Sequence, residues 1–402
     1  MNNESSRVTI WTRGFICIII SNVCANMAMF SVNTYVTTYM THLGLGAALA
    51  GLVAGIYYTT GLLLRPVSGP MQVMLNKKKL MIATYLLAFF VNLGYAFFQS
   101  IGMFVVMRLI HGIQLAFYGS LALTIASNSL PEEKMASGLG IYGLSGIVSQ
   151  TLGPSLGVWV RGIGESLGGA GGGFKAIFLM AAFFSFVSVI PAVLLPEQNM
   201  AGEGKGSFGK WYKNIIEKRS LIPASVIGLL ALAAILYTTY MIPYGASKGI
   251  ENVGIYFTVN AVMMVISRPI MGKLTDKYGP NRTFYPGIAL YILSFWLISY
   301  ATNTMGIIIG ALCASVGYGT IHPAVQSMAL QSVAHDRRAV ASNTVFTLMD
   351  LGNFLGPTLA GTILEKTNYV TMFRMASVPL VLAVILFIIG WKPYCRYRKE
   401  LE

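Results

Sequence analysis

The chain has 402 residues, of which 55% are hydrophobic and only 10% charged, with a formal net charge of +14 and a mean hydropathy of +0.65. A soluble domain carries about 25% charged residues, so too little charge is present to cover a water-facing surface. The apolar runs are long and do not alternate, which excludes a membrane β-barrel and leaves helices that satisfy their own backbone in lipid.

Twelve runs reach the roughly 20 apolar residues that a spanning helix needs. In chain order they lie near 14–38, 47–72, 80–99, 102–127, 137–160 and 174–195, then near 221–245, 252–272, 284–301, 304–330, 341–363 and 370–391. The first run is longer than the apolar stretch of about 7–15 residues in a cleaved signal peptide. With the N-terminus inside, only Arg161, Lys175, Lys248 and Lys366 fall in outer segments, while the inner segments hold the basic clusters, Lys77–Lys79 among them. That asymmetry predicts a multi-pass protein of the cell membrane with both termini cytoplasmic. It also explains the net charge without a nucleic-acid partner.

The expected organisation is a six-helix bundle over 1–199, a cytoplasmic linker over 200–219 and a second six-helix bundle over 220–402. The basic, aromatic stretch from Phe208 to Lys218 reads either as a segment lying on the inner membrane surface or as a solvated linker. The outer segment Gly164–Gly173 is glycine-rich and reads as a flexible loop. It contains Gly164, Ser166 and Gly168 in the GxSxG spacing of hydrolases, but without the strand–turn–helix setting or the partners that chemistry requires. No P-loop and no metal-ligand spacing occur, and the four cysteines read as unpaired. The expectation is a protein that is not an enzyme, with no cofactor and no metal.

The halves repeat. Arg65-Pro66 and Gly69 recur as Arg268-Pro269 and Gly272, and Gly153-Pro154 recurs as Gly356-Pro357, each 203 residues on. Two motifs at one offset indicate duplication, and repeated halves with a site between them near the midplane are a transporter architecture.

On these motifs the chain resembles the Major Facilitator Superfamily over essentially its whole length. The signature after the eighth span stands as Gly272, Leu274, Asp276, Gly279 and Arg282; in the first half Gly69 and the lysine cluster remain, with Val73 at the acidic position and Asn76 at the second glycine. Arg108, His111 and Gly112 in the fourth span resemble the family's buried-arginine motif, and Gly153-Pro154 with Gly157 resembles its antiporter signature, with Ser149 in place of a glycine. The tenth span carries Gly317 to Pro323 and the eleventh Asp350, Gly352 and Gly356-Pro357. Together these are similar to the bacterial drug and sugar efflux branch. The resemblance implies a secondary transporter of a small organic solute working by alternating access with proton coupling. An uptake symporter of the same fold and a receptor-like relative that moves no solute remain open, and the oligomeric expectation is a monomer.

Asp350 is the one acidic residue expected in the middle of a span, where an ionised carboxylate costs about 2.5–3.5 kcal/mol or more. It is therefore the foremost proton-coupling residue, with a structural hydrogen bond as the alternative. Arg108 is the matching buried cation, able to hold Asp350, to bind a substrate anion or to rest on backbone carbonyls. His111 and His322 titrate near neutral pH and are secondary proton sites. Asn22, Asn26 and Asn33 share one face of the first span, and this stripe is expected to line the central cavity, with Tyr237, Tyr240, Tyr244, Gln326 and Asn343 as weaker contributors. Gly153-Pro154 and Gly356-Pro357 are expected to form mobile seams between the bundles. Asp276 is expected in a cytoplasmic loop, facing the positive end of a neighbouring helix and latching one conformation. The absence of an acidic residue from the first-half spans points to a neutral, zwitterionic or anionic substrate.

Overall fold

The computed structural model describes residues 9–98, 100–197, 214–250 and 252–401. The first four helices are α1 (Arg13–His42), α2 (Ala47–Met74), α3 (Lys77–Phe97) and α4 (Ile101–Asn128). The next helical run, Met135–Val193, is broken by non-helical backbone at Gly168 and Gly169, the latter at φ 65°, and forms two passes, α5 (135–167) and α6 (170–193). The second half supplies α7 (Leu221–Lys248), α8 (Ile255–Tyr278), α9 (Pro280–Tyr300), α10 (Thr304–Gln331), α11 (Arg338–Lys366) and α12 (Tyr369–Leu401).

Nine helical stretches of the described residues are long and apolar enough to cross a membrane, the kinked run counting once. With that run as two passes, and α2 and α11 at 28 and 29 residues, the chain makes the twelve passes its apolar runs predict. At 1.5 Å per residue each of these two helices is about 40 Å long, ample for a bilayer core. Twelve passes put both ends of the chain on one side, here termed the terminal face.

Helix ends follow local chemistry. The side chains of Thr12, Asn76, Ser100 and Asn303 accept from amides of the first turns of α1, α3, α4 and α10. Gly279, at φ 82°, makes the tight turn into Pro280 at the start of α9. The glycine-rich 164–173 segment is not a flexible loop. It is helical apart from Gly168 and Gly169, because glycine lets the two arms close up: a Cβ on Gly164 would lie 2.6 Å from the Gly172 oxygen. Residues 200–213 of the expected linker lie outside the described residues. Its described end packs at the terminal face, where the Glu217 amide donates to Thr344 Oγ1 (2.9 Å) and its carboxylate pairs with Arg337 (2.7 Å).

In the first bundle α1 lies against α5 and α2 against α4; in the second α7 lies against α11 and α9 against α10. Between the bundles α11 crosses α2 and α4, and α5 crosses α8 and α10. These crossings position the site.

Candidate functional site

The α2–α11 crossing is closed by charge. Arg65, 1% exposed, donates from Nε (3.0 Å) and Nη2 (2.8 Å) to Asp350 Oδ2, and from Nη1 to the Ala116 oxygen (2.9 Å). The Phe346 ring lies 5.1 Å from the guanidinium carbon. Asn343 completes the crossing: its Nδ2 donates to the Arg65 oxygen (2.8 Å) and its Oδ1 accepts from Ser68 (2.7 Å). Asn343 is therefore a seam residue and not the cavity residue expected from sequence. Its amide sits against Gly69, where a Cβ would lie 2.8 Å from it.

Toward the terminal face Asp276 accepts from the Ala136 and Ser137 amides, both at 3.0 Å, so α8 caps the start of α5. The carboxylate stands in the last turn of α8 and not in a loop, because that helix continues to Tyr278. Gly272 allows the approach, since a Cβ there would meet the Ser137 Cα at 2.8 Å. Val73, at the equivalent place in the first half, packs with Ala339 and Val340 at the start of α11. Arg338, 1% exposed, pairs with Glu132 across the bundles and donates to the Ser127 oxygen (3.0 Å). These bonds gather in the terminal half of the molecule.

Beyond them lies a central cavity of about 810 Å³, lined by Phe30 of α1, Ile147 and Gln150 of α5, Tyr237 and Thr238 of α7, Tyr256, Asn260 and Arg268 of α8, Tyr291, Tyr318 and Met349 among others. Among these lining residues only Arg268 carries charge. In the sequence Arg268 stands out as a motif residue, and the rest of its helix face carries no motif. Tyr256, Asn260, Met264 and Arg268 are spaced by four, and that spacing was the available signal.

The other expected site residues are placed as follows. Arg108 does not meet Asp350. Buried in the first bundle, it donates to Asn33 Oδ1 (3.0 Å) and the Ala54 oxygen (2.7 Å) under the Tyr57 ring. His111 Nδ1 lies 3.2 Å from the Tyr95 hydroxyl, and the His322 ring packs tilted against Tyr318 at 5.1 Å between ring centroids. The asparagine stripe is turned inward: Asn22 binds Ser145 and Tyr118 between α1, α4 and α5, and Asn26 is buried. Phe30 is what α1 gives to the cavity wall. Tyr240 donates to the Pro357 oxygen (2.8 Å), Tyr244 to the Ile298 oxygen (2.7 Å), and Gln326 is buried, so of the α7 tyrosines only Tyr237 reaches the lining.

The two Gly-Pro motifs lie inside the bundles and not between them. A Cβ on Gly153 would come 3.1 Å from the Met27 oxygen of α1, and Ser31 donates to the Gly153 oxygen (2.9 Å); a Cβ on Gly356 would lie 2.7 Å from the Leu232 oxygen of α7. The glycines serve close backbone approach within each half.

Comparison with known proteins gives one consistent result. The sequence model of the Major Facilitator Superfamily matches residues 18–357 and 243–394. The chain is 24% identical over 386 residues to the staphylopine export protein of Staphylococcus aureus, covering 90% of this chain and 92% of that one. It is 22% identical over 389 residues to the multi-drug resistance efflux pump PmrA of Streptococcus pneumoniae, covering 91% and 92%. Among solved structures it is similar to the human organic anion transporter MFSD10 (TM-score 0.75, 15% identity, 93% of this chain and 98% of that chain) and to FucP in the outward conformation (TM-score 0.74, 14% identity, 94% and 99%).

Proposed function

This chain belongs to the Major Facilitator Superfamily and is a secondary transporter, and we propose that it exports a small organic solute in exchange for protons. The bundles, taken as residues 1–199 and 220–402, rock about the central cavity. The terminal face is the cytoplasmic one, in keeping with its basic residues, so the arrangement described above is closed to the cytoplasm.

The observation that carries the reading is the Arg65–Asp350 pair, a buried arginine bonded across the bundle seam to a carboxylate in the middle of α11. A carboxylate so placed is costly unless paired. While Asp350 is ionised it holds α2 to α11 and keeps the cytoplasmic side shut. A proton arriving from outside neutralises Asp350, removes the charge that binds Arg65 and releases the seam. The cytoplasmic side then opens, the proton leaves inward, solute enters the cavity, and the restored ion pair closes the seam behind it. Protons move in as solute moves out. The names of the export protein and of PmrA lean the same way.

The test is proton movement in vesicles holding a pH-sensitive dye, with an imposed gradient and pools of small metabolites and drugs. At least one pool dissipates the gradient through the native protein, and Asp350→Asn abolishes that response. Full proton-driven transport by Asp350→Asn would overturn the role of Asp350. Solute accumulating along with the proton would make the protein an uptake symporter.

A further inference from the structure

The duplication allows each inter-bundle crossing to be compared with its counterpart, and the two differ at one set of positions. Arg65 of α2 and Arg268 of α8 are equivalent, 203 residues apart. Arg65 faces Asn343, Phe346 and Asp350 of α11, which bond its carbonyl, cover its plane and neutralise its charge. The same offset places Gly140, Gly143 and Ile147 of α5 opposite Arg268. These residues can supply no amide, no ring and no carboxylate. The backbone arrangement is nonetheless kept: a Cβ on Gly140 would lie 3.1 Å from the Arg268 oxygen, and one on Gly143 would overlap Nη1. The guanidinium thus occupies the space a side chain on α5 would fill.

Arg268 is only 7% exposed, its Nε has no partner, and among the described residues it makes no hydrogen bond or ion pair. The three other deeply buried arginines are provided for, Arg65 by Asp350, Arg338 by Glu132 and Arg108 by two oxygens. A buried, unpaired cation is strongly unfavourable. Here it borders a cavity whose lining has no acidic residue and includes Tyr237, Tyr256, Tyr291 and Tyr318. Planar guanidinium matches a carboxylate through two parallel hydrogen bonds, and tyrosines offer large amphipathic faces to an unsaturated or apolar body.

We propose that Arg268 anchors the transported solute, which is an organic anion bearing a carboxylate on an apolar or aromatic frame. The solute's carboxylate takes the place that Asp350 holds at the equivalent crossing. Bound there, it fills the crossing between α8 and α5, so occupancy and the packing of that seam are coupled on one side as protonation and seam closure are on the other. This assignment rests on the cavity being the transport site, as proposed above.

The test uses the full-length purified protein and does not depend on proton coupling. Thermal stabilisation and binding are measured with benzoate and indole-3-acetate, each against its uncharged primary amide. The acids stabilise the native protein and the amides do not. Arg268→Gln weakens the acids about tenfold or more. Ile147→Asp recreates the missing carboxylate; it raises the melting temperature of the unliganded protein and removes the response to the acids. Equal stabilisation by acids and amides, no stabilisation by either, or undiminished acid binding in Arg268→Gln would overturn the proposal. Acid binding that survives alongside proton-independent transport would instead leave this site standing and remove the antiport reading.

Discussion

Neutralising Asp350 alone leaves Arg65 buried at 1% exposure with its charge uncompensated. Breaking a fully buried pair from one side costs about 3–5 kcal/mol, and the 24% exposure of the Asp350 side chain moderates that figure. Removing both charges costs less, because no orphaned cation remains. Asp350→Asn is therefore expected to lower the melting temperature of the purified protein more than the double variant Arg65→Gln/Asp350→Asn does. Additive losses in the double-mutant cycle would show that the two side chains do not act as a pair. Asp350 stood out in the sequence because no other acidic residue fell within an apolar run. Its partner was not legible. Arg65 and Arg108 are both arginines inside spans, and which of them faces α11 depends on how two bundles meet, a contact across 285 residues of chain. Asn343 was misassigned for the same reason: an amide in a span announces a polar contact but not whether that contact is a cavity or a neighbouring helix.

Helix packing poses the same question at the scale of elements. Twelve passes, their order and the repeat follow from apolar run lengths and one offset, since lipid forces each run to satisfy its own backbone. The Gly-Pro motifs were equally visible, yet their location was not, because a glycine in a helix signals close approach without saying to which helix. The structure ranks the glycines by what surrounds them. Glycine to alanine favours a helix by about 0.8–1.0 kcal/mol, which offsets a mild clash. At Gly153 the new methyl would meet the Met27 oxygen at 3.1 Å and Ser31 Oγ at 3.3 Å, contacts a small shift relieves. At Gly352 it would overlap the carbonyl oxygen of Gly228 in α7, a backbone atom that cannot swing aside. Gly352→Ala is expected to force α7 and α11 apart at a cost of about 1–3 kcal/mol, lowering the melting temperature, while Gly153→Ala stays close to native. A reversed order would refute the packing described for these two helix pairs.

For the molecule as a whole, the duplicated halves meet through unequal contacts, and the inequality is expected to bias the conformation at rest. Asp276 caps the start of α5, receiving two amides that have no partner within that helix. The equivalent contact at the start of α11 is apolar, Val73 on Ala339 and Val340, and the ion pair that joins the halves on that side is Arg338–Glu132. Sequence revealed the lost acid at Val73 but not this substitute pair, Glu132 in the short turn before α5 and Arg338 at the first residue of α11, neither in a motif. A carboxylate at a helix N-terminus contributes about 0.3–1 kcal/mol, and up to about 2 when partly buried, so its loss shifts a two-state equilibrium roughly two- to thirty-fold. Spin labels on Lys79→Cys and Lys277→Cys, in a background where the four native cysteines are replaced by serine, report the distance between the bundles at the terminal face. Asp276→Asn is expected to enlarge the long-distance population. Val73→Asp is expected to diminish it, because the new carboxylate would face the first-turn amides of α11 as Asp276 meets those of α5. If both variants moved the distribution the same way, simple disruption of packing would account for them. Opposite shifts can arise only if a carboxylate on a helix N-terminus favours the closed terminal face in either half.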